Sequence, residues 1–143
     1  MDKNEFFVQV ANSLSGCQMI EQELKLFITE ALDFALECIG DRMTFEFSGR
    51  DYEDASLERL IHAFRKLCSN KSLVKDLEKF KNERNFLTHK AISYCTDYDG
   101  KLFQNATEEV KVRLLDIEKE AERIRDEISL ETGKLLNAIL GLR

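Results

Sequence analysis

The chain has 143 residues, no proline, six glycines and a formal net charge of −6. That length fits one domain with a core of its own, and few helix breakers beside abundant Leu, Glu, Lys, Ala and Ile is helical composition. No apolar run approaches the ~18 residues that cross a bilayer, and "MDKNEFFVQV" lacks the basic start and apolar stretch of a signal peptide, so the sequence predicts a cytoplasmic protein with no membrane partner.

A first helix is predicted from Lys3 to Ile39. Phe7, Val10, Leu14, Cys17, Leu24, Ala31 and Cys38 recur at steps of three, four or seven, the seam of an amphipathic helix. Ser13, Ser15 and Gly16 predict a kink, and Gly40 a C-terminal stop. Residues 41–55 carry no helical period; "MTFEF" alternates like a strand without a partner and reads as an ordered loop, with Phe45 and Phe47 as core filling. Ser56 caps a second helix reaching Cys68, lined by Leu57, Leu60, Ile61, Phe64 and Leu67. After "SNKS", Ser72 is expected to cap a third helix ending near Tyr94, with Leu73, Leu77, Phe80, Leu87 and Ala91 on its apolar side. "TDYDGK" reads as a turn about Asp99-Gly100. Thr107 is the expected cap of the last helix, with Glu108 and Glu109 suited to its positive start. Val110, Leu114, Ile117, Ala121, Ile124, Ile128, Leu135 and Leu142 continue that helix, with Gly133 its soft point. The sum is an all-α fold, an antiparallel bundle of four to five helices with long first and last members, forming a single domain over residues 1–143.

Charge is unevenly spread. Residues 1–54 hold four basic and twelve acidic groups, a balance of −8, whereas residues 59–90 hold nine basic and three acidic groups, a balance of +6. The local excess can attract phosphate, although an acidic protein should not bind nucleic acid indiscriminately. Cys17, Cys38, Cys68 and Cys95 have neither zinc-like nor disulfide-framework spacing and read as reduced thiols. No phosphate loop, nucleophile elbow or Glu-x-x-His pair is present, so neither a metal nor a cofactor is expected. Glu21 and Glu23 read as solvated, His62 as a structural histidine between Ile61 and Ala63, and Asp97, Tyr98 and Asp99 as part of a turn too short for a calcium loop.

The basic segment ends in "KNERNFLTHKAI", residues 81–92. Arg84 is a permanently charged fork matched to phosphate oxygens. His89 can take or give a proton near neutral pH. Together they provide a base to deprotonate a ribose 2′-hydroxyl and a cation to steady the phosphate it attacks. Five residues apart on an α-helix is a rotation of ~140° and a rise of ~7.5 Å, so the two do not share one stripe, whereas Asn85 and His89 do. A two-fold dimer could assemble one composite site from two such helices.

Arg84, Asn85 and His89 match the three positions of the R-x4-6-H signature, and on the third helix of a small helical chain the segment resembles the HEPN superfamily, the higher eukaryotes and prokaryotes nucleotide-binding domain. The stretch "SLERLIHAF…ERNFLTH" is also similar to small bacterial HEPN-like proteins with an "RNFLAH" segment. The resemblance implies a bundle that dimerises through the motif helices and, in active members, metal-independent endoribonuclease activity, often of toxin or defence type and held by a partner such as an antitoxin. It assigns Arg84, Asn85 and His89 to catalysis, with Lys81 and Lys90 guiding the RNA backbone. A second reading is a non-catalytic helical binding or oligomerisation module, motivated by the long seam of the last helix.

Overall fold

The computed structural model describes residues 2–96, 100–104 and 108–142, and within them every regular element is a helix. Helix α1 (Lys3–Ile39) starts at a capping box: the Asp2 carboxylate accepts from the Glu5 amide, and the Asp2 amide donates back to the Glu5 carboxylate, both at 2.8 Å. These two bonds satisfy donors that a helix start otherwise leaves unpaired. Gly40, at φ +56°, ends it. Residues 41–48 form no regular element, and a 3₁₀ turn, Gly49–Tyr52, leads to α2 (Leu57–Leu67), capped by Ser56. Helix α3 (Lys71–Phe86) continues through a π turn (Leu87–Ala91) into α4 (Ile92–Cys95). A short α5 (Lys101–Gln104) precedes α6 (Glu108–Leu142).

Cross-helix bonds fix the directions. Glu83, Asp76 and Asn70, in reverse order, meet Arg113, Arg123 and Glu131, so α3 runs antiparallel to α6. Glu58 meets Lys81 and Arg65 meets Glu78, so α3 is also antiparallel to α2. The Tyr94 ring packs edge-on to Phe6, 6.0 Å between centroids, the far end of α1 from its exit. The two long helices run the same way: the Ser13 hydroxyl donates to the Leu114 carbonyl at 3.0 Å, Gly16 abuts Ala121, and Met19 meets Arg125.

The core lies where α1, α2, α3 and α6 face one another. Phe6, Ile20, Leu24, Ile28, Leu60, Phe64, Leu73, Leu77, Leu87, Leu114, Ile124 and Ile128 are fully buried there. Each such side chain contributes about 1.5–3 kcal/mol relative to exposure.

Several sequence expectations are corrected. α1 is unbroken across residues 13–16: Ser13 is buried and its hydroxyl bonds to α6, and Gly16 faces Ala121 of α6 with no room for a Cβ between them, so both serve interhelical packing rather than a kink. α6 likewise passes through Gly133 without interruption. Asn70, not Ser72, caps α3, its side-chain Oδ1 accepting from the Leu73 amide at 3.1 Å. Phe7, Cys38, Leu67 and Leu142 are exposed; Phe6, Ala63 and Ile139 take inward positions instead. Phe45 and Phe47 pack on each other, centroids 5.4 Å apart, but Phe47 is 63% exposed, so the pair is not core filling. Thr107 and the Asp97–Asp99 turn lie outside the described residues.

Candidate functional site

The motif straddles the junction of α3 and the π turn. A π turn widens the helix by one residue, with hydrogen bonds reaching five positions back, and such turns occur frequently at functional sites. Here the Ile92 amide donates to the Leu87 carbonyl. Thr88 supplies a local cause: its hydroxyl reaches back to the carbonyls of Arg84 and Asn85, at 3.3 and 3.2 Å. Back-bonding of this kind competes with the α ladder and distorts it.

Lys81, Asn85 and His89 form one stripe at four-residue steps. In a uniform α-helix such a stripe drifts by about 40° per step; the wider turn before His89 reduces the second drift. What exposes the stripe is the neighbouring helix. The Lys81 ammonium lies 3.7 Å from Glu58, the second residue of α2. Asn85 and His89, one and two turns further along α3, therefore run out beyond the start of α2, and both are exposed, as is Lys90.

Arg84 occupies a different face. It follows Leu77 and Phe80 along the apolar seam of α3 and is half-buried towards α1. There its charge acts on Cys17: burial pushes that thiol up to about 12, Glu21 adds to the rise, and Arg84 opposes it. Among the described residues, the side chains of Arg84, Asn85 and His89 make no hydrogen bond or ion pair, either with each other or with any neighbour. Within one chain Asn85 and His89 form an exposed ledge, and Arg84 stands half-buried on the neighbouring face.

The acidic residues of α3 are each engaged by a cation of a neighbouring helix. Asp76 bonds to Arg123 at 3.0 Å, Glu78 lies 3.8 Å from Arg65, and Glu83 takes both arms of Arg113 at 2.9 and 3.0 Å. The three carboxylates that offset the basic segment are thus each opposed by a cation on a flank of α3. Arg84 is left with its charge unneutralised by a carboxylate bond.

Three participants escape a reading of the motif alone. Thr88 lies inside the motif, and a hydroxyl at that position is a weak signal of back-bonding. Arg113, 30 positions from Glu83, gives no local signal. His62 is exposed rather than structural, and its Nδ1 lies 3.0 Å from an Arg65 nitrogen. The seam of α6 is spent internally, since Ile124 and Ile128 are fully buried in this chain's own core.

No known protein family, curated protein or solved structure matches the chain. Among the described residues, no helix is long and apolar enough to cross a membrane and no group of acidic, histidine and cysteine side chains is arranged to hold a metal ion.

Proposed function

We propose that this protein is a metal-independent endoribonuclease of HEPN type, acting at a composite site formed when two copies bring their motif helices together. The observation that carries the reading is the ledge itself: an exposed Asn85–His89 stripe beside an Arg84 whose charge no carboxylate bond neutralises. The resemblance of "RNFLTH" to the HEPN signature supplies the reaction class.

In that reaction His89 accepts the proton of a ribose 2′-hydroxyl. The freed oxygen attacks the adjacent phosphorus, the bond to the 5′-oxygen breaks, and the products are a 2′,3′-cyclic phosphate and a 5′-hydroxyl. The leaving oxygen takes a proton, and a protonated His89 of the second copy is placed by two-fold symmetry to give it. Arg84 stabilises the negative charge that builds on the phosphate, Asn85 orients the attacked group, and Lys81 and Lys90 hold the flanking backbone. An exposed, unclosed ledge in one chain suits a site completed by another. A cognate antitoxin-like partner would act by covering the same ledge.

The exposed leucines near the end of α6, Leu130, Leu136, Leu140 and Leu142, favour a second reading, a non-catalytic module that binds through this helix end. Cleavage of a mixed RNA pool in EDTA separates the two. Wild-type cleavage that disappears in His89→Ala and Arg84→Ala, with folding and assembly retained, supports the ribonuclease. Absence of cleavage at every protein concentration supports the module.

A further inference from the structure

A shallow cleft of about 180 Å³ opens between α2 and α3, just before the exposed stripe. Buried Ile61 forms its floor; Glu58, His62 and Arg65 of α2 and Glu78 and Lys81 of α3 form its rim. Lys81 belongs to both the cleft and the stripe. It stands eight residues before His89, about 12 Å along the helix axis, a span of a few nucleotides of single strand.

The rim is set but unspent. Arg65 to Glu78 is 3.8 Å and Lys81 to Glu58 is 3.7 Å. Both exceed hydrogen-bond reach. Among the described residues, neither carboxylate accepts a hydrogen bond and the Lys81 ammonium donates none. Arg65 commits a single nitrogen, to His62. Because a guanidinium only donates, Nδ1 of His62 is the acceptor and Nε2–H faces outward as a donor.

This arrangement selects by charge. A phosphate here meets two carboxylates, and a simple cation meets a guanidinium and an ammonium. A flat neutral group with both donors and acceptors meets no repulsion. Nucleobases have those properties, and unpaired bases splayed from a strand are what proteins read in RNA. Guanine matches best. Its O6 and N7 are adjacent acceptors for a guanidinium fork, and its N1–H and N2–H₂ are adjacent donors for a two-oxygen carboxylate. Cytosine has adjacent acceptors but one donor group, and adenine and uracil lack the paired acceptors.

We propose that the α2–α3 cleft reads a guanine base, with Arg65 on O6 and N7 and the Glu58 and Glu78 carboxylates on N1–H and N2–H₂. Its place on the strand, a few nucleotides from the attacked phosphate, rests on the ribonuclease reading; the choice of base rests on the cleft alone.

Two arms test it on the full chain. The first titrates GMP, AMP, CMP and UMP against the ring proton signals of the only two histidines, His62 and His89, assigned with His62→Gln and His89→Ala. GMP should move the His62 signal at tenfold lower concentration than the other three, and Glu78→Gln and Arg65→Gln, still helical by circular dichroism, should abolish the difference. Equal response to all four nucleotides, or movement of His89 alone, overturns the inference whatever the enzyme does. The second arm sequences the cut ends of an RNA carrying a randomised single-stranded stretch. A guanine at one fixed offset, lost in Glu78→Gln while cutting continues, supports the inference. Cutting with no fixed guanine rejects it and leaves the ribonuclease standing. GMP selectivity without any cutting keeps the cleft and rejects the ribonuclease.

Discussion

Arg113 holds Glu83 in a two-pronged grip, its guanidinium nitrogens 2.9 and 3.0 Å from the two carboxylate oxygens, while its central carbon lies 3.8 Å from the centre of the Phe86 ring. One residue of α6 thereby restrains the carboxylate preceding Arg84 and a ring within the motif. The pair is partly exposed, so its ion-pair share is about 0.2–1 kcal/mol, with the stacked cation adding about 0.5–1 kcal/mol. Arg113→Ala should lower stability in urea by roughly 1–2 kcal/mol. On the proposed ribonuclease reading, it should also lower RNA cleavage several-fold by freeing Glu83 to compete for Arg84. Glu83→Gln in the same chain should restore the cleavage but not the stability. Unchanged cleavage in Arg113→Ala would separate the grip from the site.

Gly16 makes the opposite kind of prediction from the usual one for a helix interior. Glycine to alanine ordinarily stabilises a helix by about 1 kcal/mol. A Cβ at position 16 would sit 2.9 Å from the Cβ of Ala121, an atom that cannot rotate out of the way. Gly16→Ala should therefore destabilise by about 1–3 kcal/mol through overpacking. Ala121→Gly should relieve most of that, because it removes the atom that is struck. A more stable Gly16→Ala in thermal unfolding would mean that α1 and α6 separate readily.

These two contacts show what the sequence could and could not convey. The limits of α1 and α2 are legible because their capping residues, Gly40 and Ser56, act on neighbours in sequence. The third cap was not, since Asn70 and Ser72 are both good caps two residues apart. Asn70 gains a partner 61 positions away, its amide donating to Glu131 at 3.0 Å. Ser13 and Gly16 look like breakers locally and are packing devices across α1 and α6. The motif letters of the site were readable for the same reason as the caps. Their exposure was not, because it depends on where α2 begins beside α3, and the disposal of the acidic residues depends on Arg113 and Arg123 of a distant helix.

The thiols should differ sharply in reactivity, because the thiolate is the reactive form. Burial raises Cys17 to about 12 and is the largest influence raising Cys68 and Cys95 as well. Cys38 is exposed near the end of α1. Native protein should consume one equivalent of a thiol-reactive disulfide quickly at pH 8, and Cys38→Ser should remove that phase. The remaining three should react on unfolding. A fast phase surviving in Cys38→Ser and absent once Cys95, which is only partly buried, is also changed to Ser would mark Cys95 as its source; one surviving both changes would show that the core around Cys17 or Cys68 opens under native conditions.

Glu131 links the α2–α3 turn to α6, accepting from Asn70 at 3.0 Å and from Lys134 at 3.2 Å. Burial pushes its carboxyl up, but the bonds from Asn70 and Lys134 outweigh it and hold the group below its ordinary value of 4.5. A depressed native value means that the unfolded chain binds the proton more readily than the folded one. The associated stabilisation is present above the ordinary value and is lost as pH falls through the depressed one. Urea midpoints of the wild type should therefore decline across that acid window, and Glu131→Gln should flatten this part of the decline. Asn70→Ala should cost more than a cap alone, about 1–2 kcal/mol, because it removes both the Leu73 cap bond and the bond to Glu131. Asn70→Ser separates the two effects: it can cap the helix but is too short to keep the same reach, so its loss should fall between. Should Asn70→Ser match Asn70→Ala in stability, the bond to Glu131 carries the whole effect. If Asn70→Ser matches the wild type, that bond contributes nothing and α3 is held by its cap.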